Sequence, residues 1–304
     1  MSADRPPTID PAAAVRWSRL APRESPWLHE EVGRRMEGRL QWIKLVPDAW
    51  ADWEPTRGGM GVHRQVAARY ARATCYVVEP TPERVRCAQD ALRKPWWDQA
   101  RWTAPAPRFE APPDAAVQML WANMALHMAG DPQQDIVRWH RALAPDGFLM
   151  FSCLGPDTLR ELRDLYQTRG WLPPAHEFTD MHDWGDMLVH AGFAEPVMDM
   201  ERITLTFETA PRLLEELRGL GRNLHSGRFG ALRGRGWQQQ LLQALPTLAG
   251  RAAQPGPLPL TFEIIYGHAF KAPPRLPVQG EAVMSLDDMR QALRRGRSLR
   301  AARA

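Results

Sequence analysis

A glycine-rich turn between two short apolar segments is the feature that most restricts this chain. Ala49–Trp53 reads as a strand, EPTRGGMG (Glu54–Gly61) as a turn, and Val62 to Ala71 as a helix. Thr74–Val78 (TCYVV) reads as a buried strand, followed by EPTPE and a helix through Leu92. Parallel strands need a crossover helix to bring the chain back, so this order is the opening of a parallel nucleotide-binding sheet. Gly58, Gly59 and Gly61 carry no Cβ and let backbone approach a ligand closely, although three glycines can also simply make a loop. Glu79 stands at the carboxyl end of the second strand, roughly 20 residues past the glycines. A carboxylate there accepts two hydrogen bonds from ribose hydroxyls. The plainer alternative is a helix-start acid beside Pro80 and Pro82. Turn and acid together favour an adenosine-containing ligand.

The alternation continues. Strands are expected at Ala116–Trp121 and Phe148–Ser152, with a helix over Asp131–Leu143 between them, closed by Pro145 and Gly147. Asp157 is placed to cap the helix in GPDTLRELRDLY, and another helix spans Asp180–Ala191. Val197–Phe207 alternates as a long strand. Helical stretches at Pro211–Gly219 and Gly236–Ala249 follow, then a last strand at Leu260–Lys271. Two consecutive long strands imply a terminal antiparallel hairpin with a helical insert. At the other end, residues 1–24 are rich in Pro, Ala and Arg and read as a loose arm. A helix begins at Ser25, which can cap it, and carries a core stripe of Trp27, Val32, Met36, Leu40 and Ile43. Lys94–Pro113, with Trp96, Trp97 and Trp102, offers at most one short strand near Arg108–Glu110.

Composition closes off other classes. The 304 residues are 44% hydrophobic and 24% charged, ordinary for a globular chain with a sizeable core. No run approaches the ~18 apolar residues of a membrane span, and the N-terminus lacks a secretory layout. Cys75, Cys87 and Cys153 form no CxxC pair and no disulfide framework, so a reducing cytoplasm is the expected address. Six arginines follow Met289 without an acid, more positive charge than the whole formal net of +4. Such a tail can bind nucleic acid or an acidic protein, or simply be solvated; no zinc-finger or RNA-binding signature accompanies it, which argues against nucleic acid. No Ser–His–Asp set or metal-ligand cluster is evident, which argues against hydrolase and metalloenzyme chemistry.

The terminal strand pair after five strand–helix units resembles the class I S-adenosylmethionine-dependent methyltransferases, a mostly parallel Rossmann-like α/β sheet with an antiparallel terminal strand. NMALHMAGDP (Asn123–Pro132), WHRALAPDGFLMFSCLGPDTLRELR (Trp139–Arg163), FTDMHDWGDMLVHAGFAEPVMDMERITLTF (Phe178–Phe207) and LPLTFEIIYGHAF (Leu258–Phe270) are similar to the malonyl-acyl-carrier-protein O-methyltransferase family of biotin synthesis. The likeness covers about Ser25–Lys271. It implies a methyltransferase domain over 25–271, a lid insertion at about 209–256 and a basic tail over 272–304. The implied cofactor is S-adenosylmethionine, and the implied partner is acyl carrier protein bearing a malonyl group. Glu54 and the Gly58, Gly59, Gly61 turn would face the methionine part of the cofactor, and Glu79 the ribose. Asn123 would bond the cofactor or fix the loop.

For the acceptor, the resemblance points to His127 and to the insertion arginines Arg222 and Arg228, with Arg202 as another option. A structural histidine and surface arginines are the plainer readings of these residues. The turn departs from the family pattern: Pro55, Thr56 and Arg57 replace small residues, and only Glu110 or Asp114 offers an acid after the third strand. The family's aromatic N-terminal segment is replaced by APRESPWLHEEV. A binding or complex-assembly protein on the same scaffold is the alternative.

Overall fold

In the computed structural model, residues 9–93, 96–97, 105–249 and 256–273 are described. The arginine tail from 274 onward and Trp102 lie outside them. Six strands form one sheet in these residues: β1 (Ala49–Trp53), β2 (Thr74–Val78), β3 (Val117–Ala122), β4 (Leu143–Leu154), β5 (Phe193–Phe207) and β6 (Leu258–Lys271). Their order is β2-β1-β3-β4-β6-β5. β1 pairs in parallel with β2 and β3, as in Trp50↔Cys75 and Trp50↔Met119. β6 runs antiparallel to both β4 and β5, as in Leu149↔Ala269 and Ile203↔Phe262. The expected α/β sheet with an antiparallel terminal strand is thus present.

Helices cover both faces because the central strands bury side chains on both. On one face α2 (Trp27–Arg39) and α4 (Met60–Arg69) bring Val32, Met36, Val62 and Val66 onto Trp50, Met119 and Trp121. On the other, α6 (Pro132–Ala142) and α8 (Met181–His190) bring Ile136, Trp139, Trp184 and Leu188 onto Leu120, Leu149, Phe151 and Ile265. A short α3 (Pro55–Gly58) forms within the expected glycine turn, and α5 (Pro82–Leu92) follows β2, capped by the Thr81 hydroxyl. The α7 helix (Arg160–Thr168) follows β4, and α9 (Ala210–Leu220) and α10 (Arg235–Ala244) stand between β5 and β6. The α6 and α8 helices start where acids allow, with Asp131 accepting from the Gln134 amide and Asp180 from the His182 amide.

Four expectations change. Residues 11–20 are not a loose arm: Pro11–Leu20 is a helix, α1, whose cap Asp10 accepts from the Ala12 amide at 2.9 Å and whose Trp17 is buried. Ser25 does not cap α2; its hydroxyl donates to Glu30 at 2.5 Å, and α2 opens after Pro26. Asp157 does not cap α7, because its carboxylate pairs with Arg202 at 2.7 Å and the helix opens after Leu159 in a left-handed conformation. The fourth change is at the start of β4, which begins at Leu143 and not at Phe148; near Arg108 one parallel bridge to Tyr76 lies within the expectation of at most one short strand.

Candidate functional site

A cavity of about 820 Å³ opens at the carboxyl ends of β1, β2 and β3, where parallel sheets of this order leave a crevice. Trp53, Glu54, Val78, Glu79, Met124 and Met128 line it from the sheet side. Ala14, Trp17, Ser18 and Ala21 of the α1 region cover it.

Glu79 is held by its neighbour across the turn: Oε1 accepts the Thr56 amide at 2.8 Å. Its other oxygen, Oε2, is buried with no protein partner, which leaves an acceptor on the cavity wall for a ligand donor. Burial raises the Glu79 carboxyl to about 7, against the Thr56 hydrogen bonds that lower it. Glu54 ends β1 with φ 57, a left-handed backbone that is uncommon outside glycine. Burial, followed by the neighbouring Glu79 charge, raises its carboxyl to about 8. Asp135 is raised to about 6, first by burial.

Two arginines fasten the cover. Arg84 donates from Nε to the Ser18 carbonyl at 2.9 Å, from Nη2 to the Ala21 carbonyl at 2.9 Å, and from Nη1 to the Thr56 hydroxyl at 3.2 Å. Arg57, only 7% exposed, donates from Nη2 to the carbonyls of Gly219 at 3.0 Å and Leu220 at 3.1 Å. Burial lowers its guanidinium to about 10. Arg57 therefore forms part of the wall, its fork spent on carbonyls, and leaves the cavity open.

The glycines serve a different end from the one expected. The Glu30 carboxylate sits at the start of α4 and accepts the amides of Gly61 and Val62, each at 3.0 Å. A Cβ at Gly61 would meet Glu30 Oε2 at 2.7 Å, and one at Gly58 would meet the Asn123 carbonyl at 2.7 Å. Gly59, at φ 138, turns the chain from α3 into α4. Gly58, Gly59 and Gly61 thus let protein groups pack; the cavity-facing members of this turn are Glu54 and Arg57. Asn123 fixes the same turn. Its Nδ2 donates to the carbonyls of His29, at 2.8 Å, and Gly58, and its Oδ1 accepts from Ser152 at 2.6 Å. Its side chain is committed to the loop, away from the cavity lining, because Gly58 and Ser152 saturate it.

A second, mostly apolar cavity of about 290 Å³ lies among Leu162, Tyr166, Leu214, Leu217, Trp237 and Leu241. It shares Met128 and Leu220 with the first. His127, on a short helical turn at Leu126–Met128, lines it and is buried with Nδ1 unpartnered; burial lowers its imidazole well below the ordinary value, which keeps it neutral. Its carbonyl takes a contact at 2.8 Å from His176 Nε2. Arg222 lines this cavity with its guanidinium 5.1 Å over the Trp17 ring, and has no carboxylate partner among the described residues. Arg228 does not join it: its guanidinium pairs with Asp10 at 2.7 Å, beside the Ile9↔His225 bridge, and so ties α1 to the insert. Arg202 is spent on Asp157. Trp96 and Trp97 are exposed and Asp114 pairs with Arg141, so none of the three covers the large cavity.

Sequence reasoning missed α1, Arg84 and His176. Asp10 followed by Pro11 is a helix-start signal that could have exposed α1. The reach of Arg84 to carbonyls more than 60 residues away has no local signature.

A methyltransferase-domain model matches residues 58–151. The chain is 38% identical over 264 residues to a malonyl-[acyl-carrier protein] O-methyltransferase of Gallionella capsiferriformans, covering 84% of this chain and 88% of that one. It is 37% identical over 253 residues to the enzyme of that name from Laribacter hongkongensis, covering 80% and 82%. Among solved structures, the YcgJ protein from Bacillus subtilis superposes with a TM-score of 0.53 at 14% identity, over 79% of this chain and 100% of that one, which supports the fold.

Proposed function

The chain belongs to the malonyl-acyl-carrier-protein O-methyltransferase family, and on that premise we propose that it methylates the free carboxylate of a malonyl thioester carried on acyl carrier protein. S-adenosylmethionine, when bound, supplies an electrophilic methyl on a sulfonium. The large cavity fits it: an unpartnered, buried Glu79 Oε2 suits ribose hydroxyls, and Trp53, Val78 and Met128 give apolar surface. Glu54, at the end of β1, would stand near the cationic part. The observation that carries the reading is the shared wall at Met128 and Leu220, where the cavity lined by Glu54 and Glu79 adjoins a mostly apolar one of about 290 Å³.

The chemistry asks little of the protein's acid–base groups. Carboxylic acids titrate near ~4, so the acceptor is already ionised at neutral pH and no general base is needed. Positioning and exclusion of water do the work. Arg222, free of carboxylates and set between Trp17 and the apolar cavity, receives the malonyl carboxylate through its planar fork. His127, kept neutral by burial, offers Nδ1 on the same wall. The α1 helix, fastened by Arg84 and by the Asp10–Arg228 pair, screens the cavity from solvent. The ester product has lost the carboxylate charge and suits an apolar elongation site.

Incubation with methyl-labelled cofactor and malonyl carrier protein tests this: a base-labile labelled methyl ester is expected, and none at stoichiometric enzyme rejects it. Calorimetry separates it from a binding scaffold on the same fold. Micromolar affinity for S-adenosylmethionine is expected, and no heat at ~1 mM would favour the scaffold.

A further inference from the structure

Between Glu216 and Glu263 the sequence contains no acidic residue and six arginines, Arg218, Arg222, Arg228, Arg233, Arg235 and Arg251. Helices such as α2 and the start of α9 interleave their charges, as in Arg34 and Arg35 with Glu31, or Arg212 with Glu215 and Glu216. Of the described arginines in this run, Arg228 alone has a carboxylate partner, Asp10. Arg218, Arg222 and Arg235 are exposed, and Arg233 lies half-buried with its guanidinium 3.9 Å over the Trp237 ring and 4.8 Å over Phe229. Charge left unpaired over such a length repels itself and lowers stability unless an anionic partner covers it.

The run also surrounds an opening. Arg218, Arg222, Trp237 and Gln238 line the apolar cavity, so the unpaired charge stands at its mouth. Beside them Leu232 is 99% exposed and Phe229 45% exposed, a small apolar patch inside a cationic rim. That is the composition of a transient docking face: apolar centre, charged border, long-range steering by one sign of charge.

We infer that the insert between β5 and β6, centred on Leu232 and rimmed by Arg218, Arg233 and Arg235, is the docking surface for an acidic helix of the acyl carrier protein, which delivers its thioester arm into the cavity beneath. This rests on the proposed function for the identity of the partner. A carrier helix with carboxylates on one face pairs with the arginines while an apolar side chain covers Leu232. The extended arm then enters past Trp237 toward Met128.

The test uses the full chain with Arg235→Glu, at an exposed residue with no carboxylate partner among the described residues, and the double variant Arg233→Glu/Arg235→Glu. Binding of holo carrier protein without malonate is read by fluorescence anisotropy. Turnover is read on malonyl carrier protein and, separately, on malonyl-pantetheine, which has the arm but no carrier. Charge reversal is expected to weaken carrier binding and raise KM for malonyl carrier protein by about tenfold, with kcat held and the pantetheine substrate little affected. Added salt is expected to weaken wild-type binding in the same direction. Unchanged carrier binding in both variants overturns the docking surface, even where the enzyme methylates pantetheine. Carrier binding that is lost on charge reversal, in a protein that methylates neither substrate, preserves the docking surface and removes the methyltransferase reading. Loss of retention on single-stranded RNA, with carrier KM unchanged, assigns the surface to nucleic acid and overturns the inference.

Discussion

On one side of Met128 and Leu220 the cavity wall carries Glu54, Glu79 and Asp135; on the other it carries Leu162, Leu214, Leu217 and Trp237, with arginines at the rim. In the first set Glu54 and Glu79 lie at strand ends, where a short parallel sheet fixes each side chain by backbone pairing, and Asp135 on α6. In the second, Leu214, Leu217 and Trp237 lie on helices inserted between two antiparallel strands and Leu162 on α7, where packing of leucine faces fixes the space. The difference teaches how one fold can offer two kinds of wall: the first mixes buried carboxyls with Arg57, Arg84 and Arg138, while the second is apolar with its cations at the mouth. Among the described residues only Met128 and Leu220 line both.

The sharpest way to break this division is at Glu79. Glu79→Ala removes the unpartnered acceptor, and cofactor affinity measured by calorimetry is expected to fall by about 100-fold, the worth of two hydrogen bonds to a charged group. An affinity within threefold of wild type would place the ribose elsewhere. On the other side, Trp237→Ala opens the apolar cavity and unseats the Arg233 stack. Here KM for malonyl carrier protein is expected to rise by roughly tenfold with cofactor affinity unchanged, as for truncation of a well-packed aromatic contact. A parallel loss of cofactor affinity would show that the two cavities do not act separately.

Acidity gives a third handle. Glu54 and Glu79 are raised to about 8 and about 7 in the folded chain, so between the ordinary carboxylate range and those values the folded state holds protons that the unfolded state has released. These two groups therefore contribute stability that is lost as pH rises through that window, against the buried histidines, whose lowered imidazoles contribute in the opposite direction below about pH 6.5. Compared with Glu54→Gln, the wild type is therefore expected to lose a few degrees of melting temperature from about pH 5 to about pH 8. The cationic cofactor should recover more stability at the alkaline end than its uncharged thioether product does. Parallel pH profiles for wild type and Glu54→Gln contradict a raised Glu54 carboxyl. The smallest effect is expected at the clasp: Arg228→Ala, which leaves the Asp10 cap of α1 in place, breaks a partly exposed ion pair and should give only a slight shift in denaturant midpoint.

The sheet was legible because strand alternation and helix spacing are short-range properties. The β1 to β2 passage, the helices after β3 and β4, and the antiparallel pairing of the last two strands all follow from runs of fewer than about 15 residues. Glu79 was legible for the same reason, since its place at the end of β2 is a matter of counting. The α1 helix was not. A helix of 10 residues draws its stability from what it packs on, and Trp17 and the carbonyls reached by Arg84 become partners only after the whole sheet has formed. The glycines misled because absence of a Cβ says that something comes close, without saying what; here Glu30 and Asn123 come close. Arg228 misled because Asp10, its partner, is more than 200 residues away in sequence.

The seat of Glu30 at the head of α4 has a further consequence. In many sheets of this plan the amides at that helix start cradle a pyrophosphate. Here the chain supplies its own anion to the amides of Gly61 and Val62. A nicotinamide dinucleotide or a nucleoside triphosphate would have to drive a carboxylate out of that cradle and accept its repulsion as well. The helix start that takes a phosphate in such sheets is here already occupied by a protein carboxylate, set behind the cavity wall.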